Sequence, residues 1–336
     1  MTIELDPAVA AALPLDSEVI SEKPHGKGSW STGYKLDVKS EGLVCSYFLK
    51  IIQRPRHAEL AKGEFESQKE LHKYLPGNAA IPIGYGTLAS DPSSSFFLTA
   101  FLNLSEEVAG PAQLAEVLKK LHGTSVSPNG KFGFHLQTFN GVVPVVNDWC
   151  DTWEEWFTRQ LRSDIHWEHS IRGPDPEFDA TADEFFEKVV PRLLRPLQTG
   201  GRGIKPVLVH GDFWPGNVQI DKSTQRIVLF DACCCYGHNE LDLGMMRESR
   251  YQFTGEHVSK YLEAILPSEP VEDFDDRNAL YAMRDNIINA GLHDHRAFLR
   301  ENVKEEMRRL IAKHPSGMDG FIEIDNMSGS ETEYRL

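Results

Sequence analysis

The sequence predicts an α+β protein of two unequal lobes. Three observations predict it. Runs rich in β-branched and aromatic residues crowd the first hundred positions. Helical periodicity dominates after about residue 105, interrupted by two short strand signals. The chain of 336 residues is long enough for a sizeable core, and no internal repeat divides it. The shift in composition sets the expected boundaries. Residues 1–104 form a small β-rich lobe with one main helix, and residues 105–314 a larger, mostly helical lobe. Residues 315–336 form a mobile tail rich in Gly, Ser, Asp and Glu.

The elements follow in order. Residues 1–20 read as a short helical or loose leader. A Gly-rich stretch, with Gly26, Gly28 and Gly33, precedes strands at 34–38 and 44–52. Residues 57–75 lack β-branched side chains and space Leu60, Phe65, Leu71 and Leu75 near a helical period. Pro82 and Gly84 punctuate the chain, and 95–102 is a further strand. Helices are then expected at 111–123, 151–169, 181–197, 253–265, 276–290 and 298–313, with strands at 207–209 and 227–230.

Charge narrows the partners. Lys and Arg number 35 against 50 Asp and Glu, a net charge of −15. Such a surface does not attract nucleic acid or an anionic membrane as a whole, although a local site can still hold a phosphate. No run approaches a membrane span, and residues 1–15 lack a basic segment before an apolar run, so a cytoplasmic protein is expected. Five cysteines, Cys45, Cys150 and the run Cys233 to Cys235, make neither a disulfide framework nor a zinc site, and are expected to pack as reduced small hydrophobes.

The informative segment is His210-Gly211-Asp212-Phe213-Trp214-Pro215-Gly216-Asn217, directly after an apolar strand. Asp231 follows the next strand. A short turn lets Asp212 and Asn217 face one cleft. A carboxylate can take a proton from a hydroxyl, and an asparagine oxygen with a second carboxylate suits Mg²⁺. Upstream lie the Gly-rich stretch, Lys50 near a strand end, and Glu64 in the following helix. Glycines, lysine, glutamate, aspartate, asparagine and aspartate in this order supply the parts that phosphoryl transfer requires.

With these residues in view, the chain resembles the fructosamine kinase (ketosamine-3-kinase) family, a branch of the aminoglycoside-phosphotransferase-like, protein-kinase-like fold. The resemblance rests on residues 208–217, on Phe230-Asp231-Ala232, and on Tyr236-Gly237-His238-Asn239-Glu240-Leu241-Asp242-Leu243. It also rests on 47–50, 63–67 and 127–134, and it runs from about residue 26 to about 313. It implies a bilobal kinase-like fold using ATP and Mg²⁺. Asp212 is implied as the base, Asn217 and Asp231 as metal ligands, and Lys50 as the phosphate-binding lysine. Glu64 is its implied partner, with Glu66 the alternative. Gly26, Gly28 and Gly33 would cradle phosphate, Ala100 to Leu102 would meet adenine through the backbone, and Trp214 would pack on the sugar or else join the core. His238, Glu240 and Asp242 are expected to be buried or loop-fixing.

The implied reaction is phosphorylation of the 3-hydroxyl of a ketosamine, a ribulosamine or fructosamine on the lysine amine of a protein, peptide or small amine. That step would initiate protein deglycation. Two alternatives stand beside it: an aminoglycoside- or choline-like small-molecule kinase, and a non-catalytic pseudokinase. Ribulosamine is the favoured sugar, and the oligomeric state is open. The glycines are spaced Gly-x-Gly-x-x-x-x-Gly, and Ser29, Trp30 and Ser31 occupy the region where some relatives carry a redox-active cysteine. Ala-Cys rather than Pro-Ala follows Asp231.

Overall fold

The computed structural model describes residues 5–28 and 30–321. A short helix α1 (Pro7–Ala12) opens it, capped by Asp6, whose Oδ1 accepts the Ala8 amide at 2.8 Å. An antiparallel five-stranded sheet follows. Its strands are β1 (Glu18–Lys27), β2 (Thr32–Ser40), β3 (Leu43–Ile52), β4 (Pro82–Thr87) and β5 (Ser95–Ala100), ordered β1-β2-β3-β5-β4. Helix α2 (His57–Tyr74) enters between β3 and β4. Leu36, Val38, Leu49, Phe96 and Leu98 form a small core with Val9 and Leu13 of the α1 region.

The chain then leaves this sheet. β6 (Leu104–Val108) pairs instead with a distant hairpin, β10 (Val218–Asp221) and β11 (Arg226–Leu229). Between them come α3 (Pro111–Thr124), the hairpin β7 (Phe139–Asn140) and β8 (Val143–Pro144), α4 (Trp153–Arg172), α5 (Pro176–Leu194) and β9 (Val207–Val209). After the hairpin, β12 (Cys235–Gly237) pairs with β9, and a 3₁₀ segment runs from Asn239 to Arg247. Helices α6 (Gly255–Ala264), α7 (Phe274–Leu292) and α8 (Leu299–Lys313) complete the larger lobe. One contiguous core joins these helices to Leu71 and Leu75 at the end of α2. Among the described residues no helix is long and apolar enough to cross a membrane.

The structure departs from the sequence expectations at defined places. The expected loose leader and Gly-rich loop contribute a full strand, β1, which holds Gly26 beside an irregularity between Pro24 and Lys27. Pro82 and Gly84 lie in edge strand β4. Pro82 is its first residue, where a missing amide costs least. β6 and β10 are short and half exposed, so neither shows a clear period. Helix α5 starts before the expected 181 because Asp175 caps it and Pro176 presets its first turn. Within the expected tail, Gly317–Gly320 is a 3₁₀ turn packed against α5, and Arg192 lies over the Phe321 ring. Residues 322–336 lie outside the described ones. All five cysteines are free, and four are buried. Cys45 is exposed instead, because β3 begins before its pairing with β5, which starts at Tyr47.

Helix α7 is buried nearly all round, so its polar side chains must be paired. Arg277 donates from Nε and Nη2 to Glu240, at 2.8 and 3.0 Å. His238, fully buried, sits between the Tyr281 hydroxyl and Ser268 Oγ, each at 2.8 Å. Burial, with Arg277 nearby, pushes His238 down to about 4, against 6.5 in the open chain. The unfolded chain therefore binds a proton first as pH falls. The His238 contribution is complete above pH 6.5 and is lost between about 6.5 and 4, at about 1.4 kcal/mol per pH unit. His238→Gln is expected to flatten the pH dependence of denaturant unfolding in that window. An unchanged slope contradicts this.

Candidate active site

The site grows outward from β9. Its three residues are buried, and the chain then turns at Gly211 with φ +82°. A Cβ there would lie 2.5 Å from the Cys233 carbonyl oxygen, so only glycine fits. Asp242 braces this turn from behind. Its Oδ2 accepts the His210 amide at 2.8 Å and its Oδ1 the Gly211 amide at 3.0 Å, while His122 Nε2 approaches Oδ2 at 3.2 Å. His210 is buried, and burial lowers its pKa. Its Nε2 donates to the Phe230 carbonyl at 3.1 Å, and its Nδ1 accepts the Asp212 amide at 3.3 Å. One neutral tautomer satisfies both bonds and ties the start of the loop to the end of β11.

Asp212 and Asn217 then meet. Asn217 Nδ2 donates to Asp212 Oδ2 at 2.7 Å and to the Asp212 carbonyl at 3.0 Å. The same nitrogen lies 3.4 Å from the Asp231 carbonyl. Burial, then the charges of Asp285 and Asp231, push Asp212 up to about 7. Asp231 follows β11 at φ +58°, a left-handed conformation uncommon outside glycine.

Lys50 joins the two lobes. β3 places it opposite Gly33 on β2 and Phe97 on β5. Its Nζ donates to both Glu64 oxygens at 2.9 Å and to Asp231 Oδ1 at 2.7 Å. Burial disfavours this ammonium, but the Asp231 and Glu64 carboxylates outweigh it and keep Lys50 protonated. Glu66, the alternative partner, turns elsewhere on α2. It meets Lys69 at 3.1 Å and His135 at 3.6 Å, since two helical positions rotate by roughly 200°. Gly33 is required by space: a Cβ would lie 2.4 Å from the His25 carbonyl and 2.7 Å from the Phe48 ring.

The residues expected at base, metal, phosphate, adenine and sugar line one cleft of about 890 Å³: Gly26, Gly28, Gly33, Lys50, Glu64, Ala100, Leu102, Asp212, Trp214, Asn217 and Asp231. Glu66, His238, Glu240 and Asp242 lie outside it. The structure adds detail at the Ala100–Leu102 backbone and at Trp214. The Ala100 amide donates to the Ile81 carbonyl at 2.9 Å and the Phe101 amide to the Ser46 carbonyl at 3.0 Å. Neither is a donor for a base, and Leu102 supplies the one amide of the three without a backbone acceptor among the described residues. Trp214 is 37% exposed and is not a core aromatic; its ring covers Gly216 and lies 5.8 Å from that of Tyr251.

The sequence reading missed Tyr251, Asp285 and Asn289, which line the same cleft. Asp285 and Asn289 lie four apart on α7, hence on one face, with Asn289 Nδ2 donating to Asp285 Oδ1 at 2.8 Å. That spacing is the available signal, but polar pairs four apart are common on helices.

Among the described residues, no three His, Cys, Asp or Glu side chains are grouped to hold a metal unaided. Asn217 and Asp231 present hard oxygens, and Asp231 keeps its side chain 49% exposed. This donor set fits Mg²⁺, which takes one or two protein oxygens together with phosphate and water.

The chain is similar to known proteins over much of its length. Ketosamine-3-kinase of Mus musculus is 32% identical over 287 residues, covering 77% of this chain and 85% of that protein. The chloroplastic protein-ribulosamine 3-kinase of Oryza sativa subsp. japonica is 27% identical over 211 residues, 62% of this chain. The match spans only 58% of that rice protein's length. Among solved structures, one from Thermobifida fusca assigned as a fructosamine-3-kinase superposes with a TM-score of 0.72 at 17% identity, covering 92% of this chain and all of that one. An aminoglycoside phosphotransferase in ternary complex with AMP-PNP and hygromycin B gives 0.56 at 14% identity, covering 88% and 94%. These two likenesses establish a shared kinase-like fold. The family profile described as fructosamine kinase matches residues 15–311, nearly the whole described chain, and the protein belongs to the fructosamine kinase family.

Proposed function

We propose that the protein is an ATP- and Mg²⁺-dependent kinase that phosphorylates the 3-hydroxyl of ketosamines. Its acceptors would be ribulosamine or fructosamine adducts on the lysine amines of proteins, peptides or small molecules. Phosphorylation would destabilise the adduct and begin deglycation, in the cytoplasm. The observation that carries this reading is the meeting of Asp212, Asn217, Asp231 and the Lys50–Glu64 pair on one cleft, in a chain of this family.

The chemistry follows from the residues. Asp212 Oδ2 is held by Asn217, which leaves Oδ1 for the acceptor hydroxyl. That carboxylate orients O3 and takes its proton as the O3–P bond forms and the bond from the γ-phosphorus to its bridging oxygen breaks. Lys50 stabilises negative charge spreading over the transferring group, and Glu64 fixes where Lys50 points. Asn217 and Asp231 would hold Mg²⁺, which supplies charge neutralisation between the phosphates. The Leu102 amide and the Ala100 carbonyl would meet adenine at the edge of the cleft, and Gly26, Gly28 and Gly33 would let backbone approach phosphate. Trp214 would cover the apolar face of the sugar.

Steady-state phosphate transfer from ATP, measured across ribulosamine, fructosamine, aminoglycoside and choline-like acceptors, tests the proposal. Turnover is expected with the ketosamines and is expected to disappear in Asp231→Ala. Turnover restricted to another alcohol would establish the small-molecule alternative, and no turnover with any acceptor would establish the pseudokinase.

A further inference from the structure

The transfer chemistry leaves one carboxylate of the cleft unused. Asp285 on α7 is 6% exposed and lines the cleft together with Asp212, Trp214 and Tyr251. It is firmly held. Arg250 donates to Oδ2, Asn289 Nδ2 donates to Oδ1 at 2.8 Å, and the Tyr251 hydroxyl lies 3.3 Å from both oxygens. The hydroxyl has one hydrogen to give, so these donors fill only part of what a carboxylate accepts.

Charge points the same way. Arg250 is shared between Asp285 and Glu248, so these three groups together remain negative. The neighbouring cation on α7, Arg284, is engaged by Asp164 at 3.0 Å. Arg296, also in the cleft, donates to Asn289 rather than to Asp285. Asp212, pushed up to about 7, adds a further negative charge where it is ionised. On the phosphate side, Lys50 and the expected Mg²⁺ offset Asp231 and Glu64. On the acceptor side, Arg296 keeps its charge beside neutral Asn289 and offsets one carboxylate; with Asp212 ionised a negative charge remains, which a cation arriving with the substrate would balance.

A ketosamine brings one. Its amine nitrogen is attached to C1, two carbons from C3, so ordinary bond lengths place it roughly 3–5 Å from O3. With O3 on Asp212, the ammonium must settle beside Asp212. Trp214 and Tyr251, with rings 5.8 Å apart, line this part of the cleft, and the Tyr251 ring already carries the Arg250 guanidinium 4.8 Å from its centre.

We infer that Asp285, positioned by Arg250, Tyr251 and Asn289, receives the substrate ammonium and selects amine-bearing ketoses over neutral ones. The inference rests on the ketosamine reading above.

The test compares kcat/KM for a ribulosamine with that for its parent ketose, which carries a hydroxyl in place of the amine. The wild-type protein is expected to prefer the amine. Asp285→Asn is expected to reduce that preference about 10–100-fold, the value of a hydrogen bond to a charged group, mainly through KM of the amine substrate. Asp285→Glu is expected to retain it. The ratio does not depend on the fraction of protein folded, and Asp285→Ser provides a second neutral variant if Asn expresses poorly. An unchanged ratio, with both substrates losing equally, overturns the inference and leaves the ketosamine reading intact. A wild-type protein that binds ATP but turns over no ketosamine overturns that reading and this inference with it.

Discussion

Asp212→Asn is expected to lower kcat about 10²–10⁴-fold, the range for losing a positioned general base. The substitution is nearly isosteric, and its side-chain oxygen can still accept from Asn217 Nδ2, now 2.7 Å from Asp212 Oδ2. KM for ATP should therefore change little. Stability should respond in the opposite direction to activity. Burial and the charges of Asp285 and Asp231 raise Asp212 to about 7, so its ionised form opposes folding at higher pH. The metal-free variant should melt at the same temperature as the wild type or above it, as expected where a strained catalytic charge is removed. Full activity in the variant would remove Asp212 from the role of base. Lost activity with a much lower melting temperature would indicate a structural role instead.

Lys50→Met is expected to cost about 10²–10³-fold in kcat, comparable to deleting one fixed donor to developing charge. Its consequences extend beyond the phosphate. Lys50 binds Glu64 and Asp231 at once, so its loss leaves two carboxylates facing each other without the cation. Removing one member of a buried pair is costly because the remaining charge is uncompensated. The variant should therefore lose thermal stability as well as turnover, which distinguishes it from Asp212→Asn. Lys50→Arg restores the charge but presents a planar fork in place of a compact ammonium. It should recover stability more than activity. Unchanged turnover in Lys50→Met would contradict the phosphate-side account.

The two lobes were legible because their periods differ. Helix α2, expected at 57–75, spans His57–Tyr74, and α8, expected at 298–313, spans Leu299–Lys313. His210 to Asn217 and Asp231 stood out because their order matches the parts expected for phosphoryl transfer, and Asp212, Asn217 and Asp231 line one cleft. β1 escaped notice because glycine and proline within it suppress the usual strand composition, and the irregularity after Pro24 absorbs them. β6 escaped because its partner β10 lies more than a hundred residues away, a pairing that local pattern does not carry; β10, in a hairpin with β11, is only four residues long and shows no clear period. Tyr251, Asp285 and Asn289 escaped for a related reason. Nothing in α7 read alone marks which of its polar residues face a cleft, since nearly the whole helix is buried. The backbone at Ala100 and Phe101 shows the same limit, because its amides are consumed by Ile81 and Ser46, residues remote in sequence.

The role proposed for Asp212 fixes one atom, O3 of the acceptor, and that for Asp285 holds the amine nitrogen a few bonds away. The most direct measurement is therefore the site of phosphorylation, read by NMR on the product of a ribulosamine incubated with the protein, ATP and Mg²⁺. The account predicts one new phosphate ester, on O3, formed together with ADP by the wild-type protein and suppressed in Asp212→Asn. A phosphate on another hydroxyl, or no sugar phosphate while a different alcohol is phosphorylated under the same conditions, would contradict it.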